Sequence, residues 1–137
     1  MDIATVLQHL NWLAVFTAAL STFLIGGLWY SPLLFEKGWL LANRLSREDL
    51  QTRNMPLVFG LCFVLSLIMA LNLALFIGQG DLAFGMTAGF LAGFGWVSLA
   101  IAIIALFEKR TLSYVLINGG YMVVAFTVMG AILGAWK

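Results

Sequence analysis

The sequence predicts an all-α integral membrane bundle of four transmembrane helices, and two observations carry the prediction. Hydrophobic residues make up 63% of the 137-residue chain and charged residues only 9%, against roughly 45–50% and about 25% in soluble domains. A soluble domain of this size keeps much of its surface in water and has too little interior for so much apolar area. The second observation is the arrangement. Four uninterrupted apolar runs, at 10–30, 57–77, 82–107 and 112–136, contain no acidic or basic side chain. About 20 apolar residues cross a hydrocarbon core as a helix, whereas barrel strands alternate every second residue over about 10. The chain reads as one domain, 1–137.

The first run is read as a mature helix rather than a secretory leader. No Lys or Arg precedes it, it is longer than a leader's apolar core, and it ends on Trp29-Tyr30-Ser31-Pro32 instead of small residues. Between the first two runs lies the long connection 31–56. There Phe35, Trp39, Leu40 and Leu41 interleave with Glu36, Lys37 and Arg44 at helical spacing, the pattern of a short helix lying in the membrane interface. Ser46 followed by Arg47-Glu48-Asp49 reads as a second helix start, capped by Ser46 with acids at its positive end. Pro56 either closes that segment or opens the second span.

The remaining connections are tight, and charge separates them. The turn 78–81 has no basic residue, while 108–111 holds Lys109 and Arg110. With Lys37, Arg44, Arg47 and Arg53 in the long connection, six of the seven basic residues fall on one side. Positive charge marks the cytoplasmic side, so both termini are expected outside the cytoplasm. Aromatic residues agree: Trp12 and Trp136 belong to the outer interface, and Trp29, Tyr30, Trp39 and Tyr114 to the inner one. Trp96 falls mid-span and is expected to pack inward.

The strongest local pattern is Gly85, Gly89 and Gly93, which share one face of the third span and admit another backbone closely. Gly119, Gly130 and Gly134 offer a similar surface on the fourth. Two readings stand: packing within the bundle, or self-association. Polar residues inside the spans (Asn11, Thr22, Asn72, Thr87, Ser98, Asn118 and Tyr121) are expected to face other helices, because an unpaired polar group is costly in lipid. Asn118 and Tyr121, one turn apart, form a candidate polar pocket, with plain structural hydrogen bonding as the other reading.

Several classes of chemistry lack their residues. No Asp, Glu, His or Arg sits inside a span, as proton or ion coupling normally requires. The one cysteine, Cys62, has no partner for a disulfide and reads as a packing residue. His9 stands alone at the start of the first run, where an exposed interfacial residue is the plain reading and peripheral metal or pigment binding the sharper one. No catalytic set, metal-ligand spacing or phosphate-binding loop is present, so neither an enzyme nor a bound cofactor or metal is expected. A net charge of +1 points to no nucleic-acid partner; membrane lipid is the expected surrounding. A faint internal echo pairs Phe23-Leu24-Ile25-Gly26 and Trp29 with Phe90-Leu91-Ala92-Gly93 and Trp96, the kind of match a parallel repeat would leave.

These residues also resemble a known family, a bacterial integral-membrane domain of unknown function, number seventeen sixty-one. The resemblance rests on Asn11-Trp12-Leu13-Ala14-Val15, Gly26, Trp29-Tyr30-Ser31-Pro32 and Phe35. It resumes at Phe107-Glu108-Lys109-Arg110, Leu116-Ile117-Asn118, Gly120-Tyr121 and Met129-Gly130-Ala131-Ile132-Leu133-Gly134 with Trp136. It implies a four-helix membrane protein and supplies no activity. Two functions are therefore expected: a structural or interaction protein, self-associating or serving as accessory subunit of a membrane complex, or a carrier or channel for a small uncharged or apolar solute, acting as an oligomer.

Overall fold

A computed structural model describes residues 2–51 and 53–137. Among these residues the chain is helical, with no strand. A short α1 (Ile3–His9), unforeseen from composition, is capped by Asp2, whose carboxylate accepts from the Thr5 N–H at 2.8 Å. That bond holds the Asp2 carboxyl below its ordinary pKa. The first span is α2 (Trp12–Trp29). The long connection contains α3 (Glu36–Asn43) and α4 (Arg47–Gln51), and the second span is α5 (Met55–Ile77). The third span, Leu82–Phe107, runs as α6 (Leu82–Ala92), a π-helical segment (Gly93–Ser98) and α7 (Leu99–Phe107). The fourth is α8 (Leu112–Ala135). With 18, 23, 26 and 24 residues, all four are long and apolar enough to cross a bilayer at about 1.5 Å per residue.

Helix starts are settled locally. The first N–H groups of a helix lack intrahelical partners, and lipid supplies none. Asn11, Asn54, Asp81 and Thr111 accept from the N–H groups of Ala14, Leu57, Phe84 and Tyr114, so a side chain caps every span. Pro56 lies in the first turn of α5 and so opens the second span. Ser46 and Asp49 bond reciprocally, each side chain reaching the other's N–H, in the manner of a capping box. Arg47 reaches back to Glu36 at 3.1 Å and ties α4 to α3. Gly78 closes α5 at φ +56°, where a side chain would be strained.

The interior is built from small residues. Ala14, Ala18, Ala19, Ala70 and Ala74 are buried, while Leu24, Leu106 and Phe107 are 78–88% exposed. This inversion fits a bundle solvated by lipid, where large apolar side chains gain little by leaving the surface and close packing of small residues holds helices together. α8 is the centre: the third span packs along one flank, α2 along another, and α5 chiefly against α2. α3 lies against α8 near the end holding the 108–111 turn. That end, called the basic end below, therefore gathers both basic connections.

The two glycine sets meet each other. A Cβ on Gly85 would collide with the Gly130 carbonyl oxygen, one on Gly89 with that of Phe126, one on Gly93 with that of Met122, and one on Gly134 with that of Asp81. Gly119 is different: it faces the Ser98 side chain, 3.3 Å from where its Cβ would be. Of the two readings, the contacts are those of packing within the chain.

Trp96 corrects an expectation. It is 71% exposed on the outside of the bundle. In an unbroken α-helix the face carrying Gly85, Gly89 and Gly93 would reach Trp96 next. The π segment inserts one extra residue, so the next buried position is Ser98. The Ser98 hydroxyl lies 2.8 Å from the carbonyls of Gly93 and Gly119, joining the loosened turn to α8. Asn72 and Thr87 also depart from the inward expectation: both are exposed. Thr87 bonds its own helix at the Ala83 carbonyl. Asn11 acts mainly as a cap, with its amide 3.4 Å from the Trp136 carbonyl.

Gly89→Leu should lower stability by about 1–3 kcal/mol or more, the usual cost of overpacking. Gly95 has nothing within 4 Å of its would-be Cβ, and Gly95→Leu should be close to neutral. Unfolding in mixed detergent micelles checks the pair, and equal losses would contradict the assigned contact.

Candidate functional site

Polar chemistry concentrates on the α2–α8 seam. At mid-depth the Thr22 hydroxyl donates to the Ala19 carbonyl at 2.7 Å and pairs with the Ser66 hydroxyl at 3.0 Å. The Tyr121 hydroxyl donates to the Thr22 carbonyl at 2.9 Å. One hydrogen-bonded knot thus joins α2, α5 and α8. Tyr121 fits because Gly26 faces it: a Cβ there would stand 3.1 Å from the phenol oxygen.

Toward the basic end the seam opens. Tyr114, Asn118 and Tyr121 are four and three residues apart on α8 and share a face. Tyr30, just past α2, donates its hydroxyl to Asn118 Oδ1 at 2.7 Å. Its ring meets Trp39 of α3 and Tyr121 edge-on, with centroids 5.8 and 5.4 Å apart. These residues, with Asn43, Ile101 and Met122, line a cavity of about 380 Å³. Trp29 braces the wall by donating its indole N–H to the Ile117 carbonyl at 2.8 Å, with its ring tilted against Phe35 at a centroid distance of 4.7 Å. Gly38 lets α3 approach, since a Cβ there would lie 3.1 Å from Ile117.

Several polar atoms of this wall are unspent. Asn118 uses its carbonyl oxygen on Tyr30, which leaves its two N–H donors without a partner among the described residues. Asn43 donates to the Trp39 carbonyl at 2.9 Å, leaving its own oxygen as an acceptor. No acid, Lys or Arg lines the space. The wall suits a neutral polar group attached to an apolar body, because neither a fixed charge nor a metal is matched there. Among the described residues, no three His, Cys, Asp or Glu side chains come close enough to share a metal ion.

A second cavity, about 810 Å³, opens at the opposite end between α1, α2, α5 and the end of α8. Its strongest polar groups are occupied. Lys137 donates to the Gly78 carbonyl at 2.6 Å, and His9 Nδ1 lies 2.8 Å from the Thr5 carbonyl. Partial burial lowers the Lys137 pKa, with Asp81 opposing the shift. His9 is exposed, and among the described residues it belongs to no group of three or more candidate metal ligands.

Two of the segments that carry the family resemblance, 29–32 and 116–121, thus meet at the basic-end cavity. The family model described as a protein of unknown function (DUF1761) matches residues 13–134. The chain belongs to this family. No match was found among curated proteins or solved structures.

In this DUF1761 chain the sequence pattern singled out Asn118 and Tyr121, and the structure places both on the cavity wall. Their partners Tyr30, Trp39, Asn43 and Tyr114 escaped notice because three of them read as interfacial aromatics. The i, i+4, i+7 spacing of Tyr114, Asn118 and Tyr121 was the available signal. Tyr121→Phe removes the bond to Thr22 and should cost about 0.5–1.5 kcal/mol with helicity retained, as measured by circular dichroism and detergent unfolding. No loss of stability would detach the knot from the fold.

Proposed function

We propose that this protein is a membrane-embedded binding protein, and as an oligomer a carrier, for a small uncharged amphipathic solute. The observation that carries the reading is the basic-end cavity: two amides and three phenols around an apolar floor, with the Asn118 N–H donors unspent. A neutral carbonyl or hydroxyl group would meet those donors, and its apolar body would lie along Ile101 and Met122. Pockets of this kind, mostly apolar with a few converging polar groups, are the usual form of small-molecule sites. The competing role, a structural or accessory subunit, rests on the glycine faces and on the lack of charged residues within the spans, and the glycine faces are used inside this chain. No catalytic or cofactor role is proposed.

The same reading assigns the basic end to the cytoplasmic side of a bacterial inner membrane, with both termini outside. Its support is the gathering of six of seven Lys and Arg residues on the two connections at that end.

Native mass spectrometry of the gently solubilised protein should retain a neutral small molecule, and Asn118→Leu should release it. Absence of any bound species, together with no thermal shift by long-chain amides or alcohols, would refute the binding role. For orientation, Arg44→Cys in a Cys62→Ser background should react with an impermeant thiol reagent only after the cytoplasmic face is opened. Labelling in intact cells would reverse the assignment.

A further inference from the structure

The outer face of α5 carries a seam with a polar residue set into it. Leu61, Leu65, Ile68 and Asn72 follow one another at spacings of four, three and four, with Phe76 beyond. At 3.6 residues per turn they form one stripe. All point away from the bundle: Leu61, Leu65, Ile68 and Phe76 are 51–62% exposed and Asn72 is exposed. The opposite face of α5, with Ala70, Leu73, Ala74 and Ile77, is the one buried in the bundle.

Asn72 lies five residues before the end of a 23-residue span, about 7.5 Å inside it at 1.5 Å per residue. Several hydroxyl residues in the spans spend their protons on their own helices. Ser21 bonds the Ala18 carbonyl, Thr87 that of Ala83, and Thr127 that of Val123. Among the described residues the Asn72 carboxamide makes no hydrogen bond. An amide left unpaired in hydrocarbon is unfavourable. The seam therefore asks for an occupant that offers both a donor and an acceptor at this depth.

We infer that the occupant is a second copy of this chain, paired through α5 about a two-fold axis along the membrane normal. Two copies inserted in the same sense present parallel α5 helices, and in an isologous interface each residue near the axis meets its own counterpart at equal depth. Asn72 then faces Asn72 of the other copy. A carboxamide carries both N–H donors and an acceptor oxygen, so the pair satisfies itself. The leucine and isoleucine positions interdigitate on one side of it as in a two-stranded coil, where a single Asn at such a position fixes register. Trp96, another exposed mid-span side chain, has a donor and no acceptor, so it cannot pair with its own copy in this way. The glycine faces take no part, being covered already.

Full-length protein in lipid vesicles tests the pairing. In a Cys62→Ser background, Leu65→Cys should form an oxidative cross-linked dimer. Val64→Cys, equally deep and exposed but about 100° round the helix, should stay uncross-linked. Energy transfer between labelled copies, followed as lipid is added, gives the second measurement. Asn72→Leu should weaken association about three- to thirty-fold, and Asn72→Gln, which keeps the amide, should recover part of it. Cross-linking at residue 64 as fast as at 65 overturns the inference. So does unchanged or tighter association of Asn72→Leu, or a wild-type chain that is monomeric at every lipid ratio.

Discussion

The structure depends on the approach of two backbones. Along the third span and α8, glycines at 85, 89, 93, 130 and 134 leave out Cβ atoms that would hold the helices apart, and carbonyl oxygens of one helix fill the space beside the other. Lipid gives helices no hydrophobic reason to associate, so dispersion over a close contact and a few interhelical hydrogen bonds must suffice. Among the described residues this pair of helices makes the most extensive contact. The rest is arranged on it: α8 is central because its second flank, lined by Ile117, Ala125 and Met129, remains for α2.

That contact also accounts for the π segment. Past Gly93 the regular helix would turn the Trp96 indole toward α8 at a place where the backbones are nearly touching. One extra residue rotates Trp96 out and brings Ser98 in, and the Ser98 hydroxyl occupies carbonyls on both helices. The small side chain of Ser98 fits against Gly119, so the close approach continues toward the basic end. There the helices part, and the space between α8, α7 and α3 becomes the cavity walled by Tyr30, Asn118 and Tyr121.

Much of this architecture was legible in the sequence, because lipid as solvent simplifies the code. Apolar runs of 21 to 26 residues leave no alternative to helices, and Ser46, Pro56 and the glycine spacings each marked the feature found there. What escaped reading has physical causes. Trp96 was misplaced because mid-span depth alone does not fix which way a side chain faces, and the bulge at Gly93–Ser98 turns it outward. Asn72 and Thr87 were expected inside because the rule that polar groups avoid lipid ignores a second way to comply, bonding the helix itself, as Thr87 does, or bonding another chain. Half of the cavity wall was missed because Tyr30 and Trp39 look the same whether they anchor an interface or line a site. Ser66 was overlooked because a single hydroxyl in an apolar helix shows its importance only when Thr22 is seen opposite it.

The central claim, that Gly85 and Gly130 are in mutual backbone contact, is tested most directly by a double-mutant cycle. Each residue would collide with the other's carbonyl if it carried a Cβ. Gly85→Ala, Gly130→Ala and the double variant would be unfolded in mixed micelles under one set of conditions. If the two share a contact, either substitution already forces the helices apart, and the double variant should lose clearly less stability than the two single losses added together. Simple additivity, within about 0.3–0.5 kcal/mol as for independent sites, would contradict the contact and the arrangement built on it.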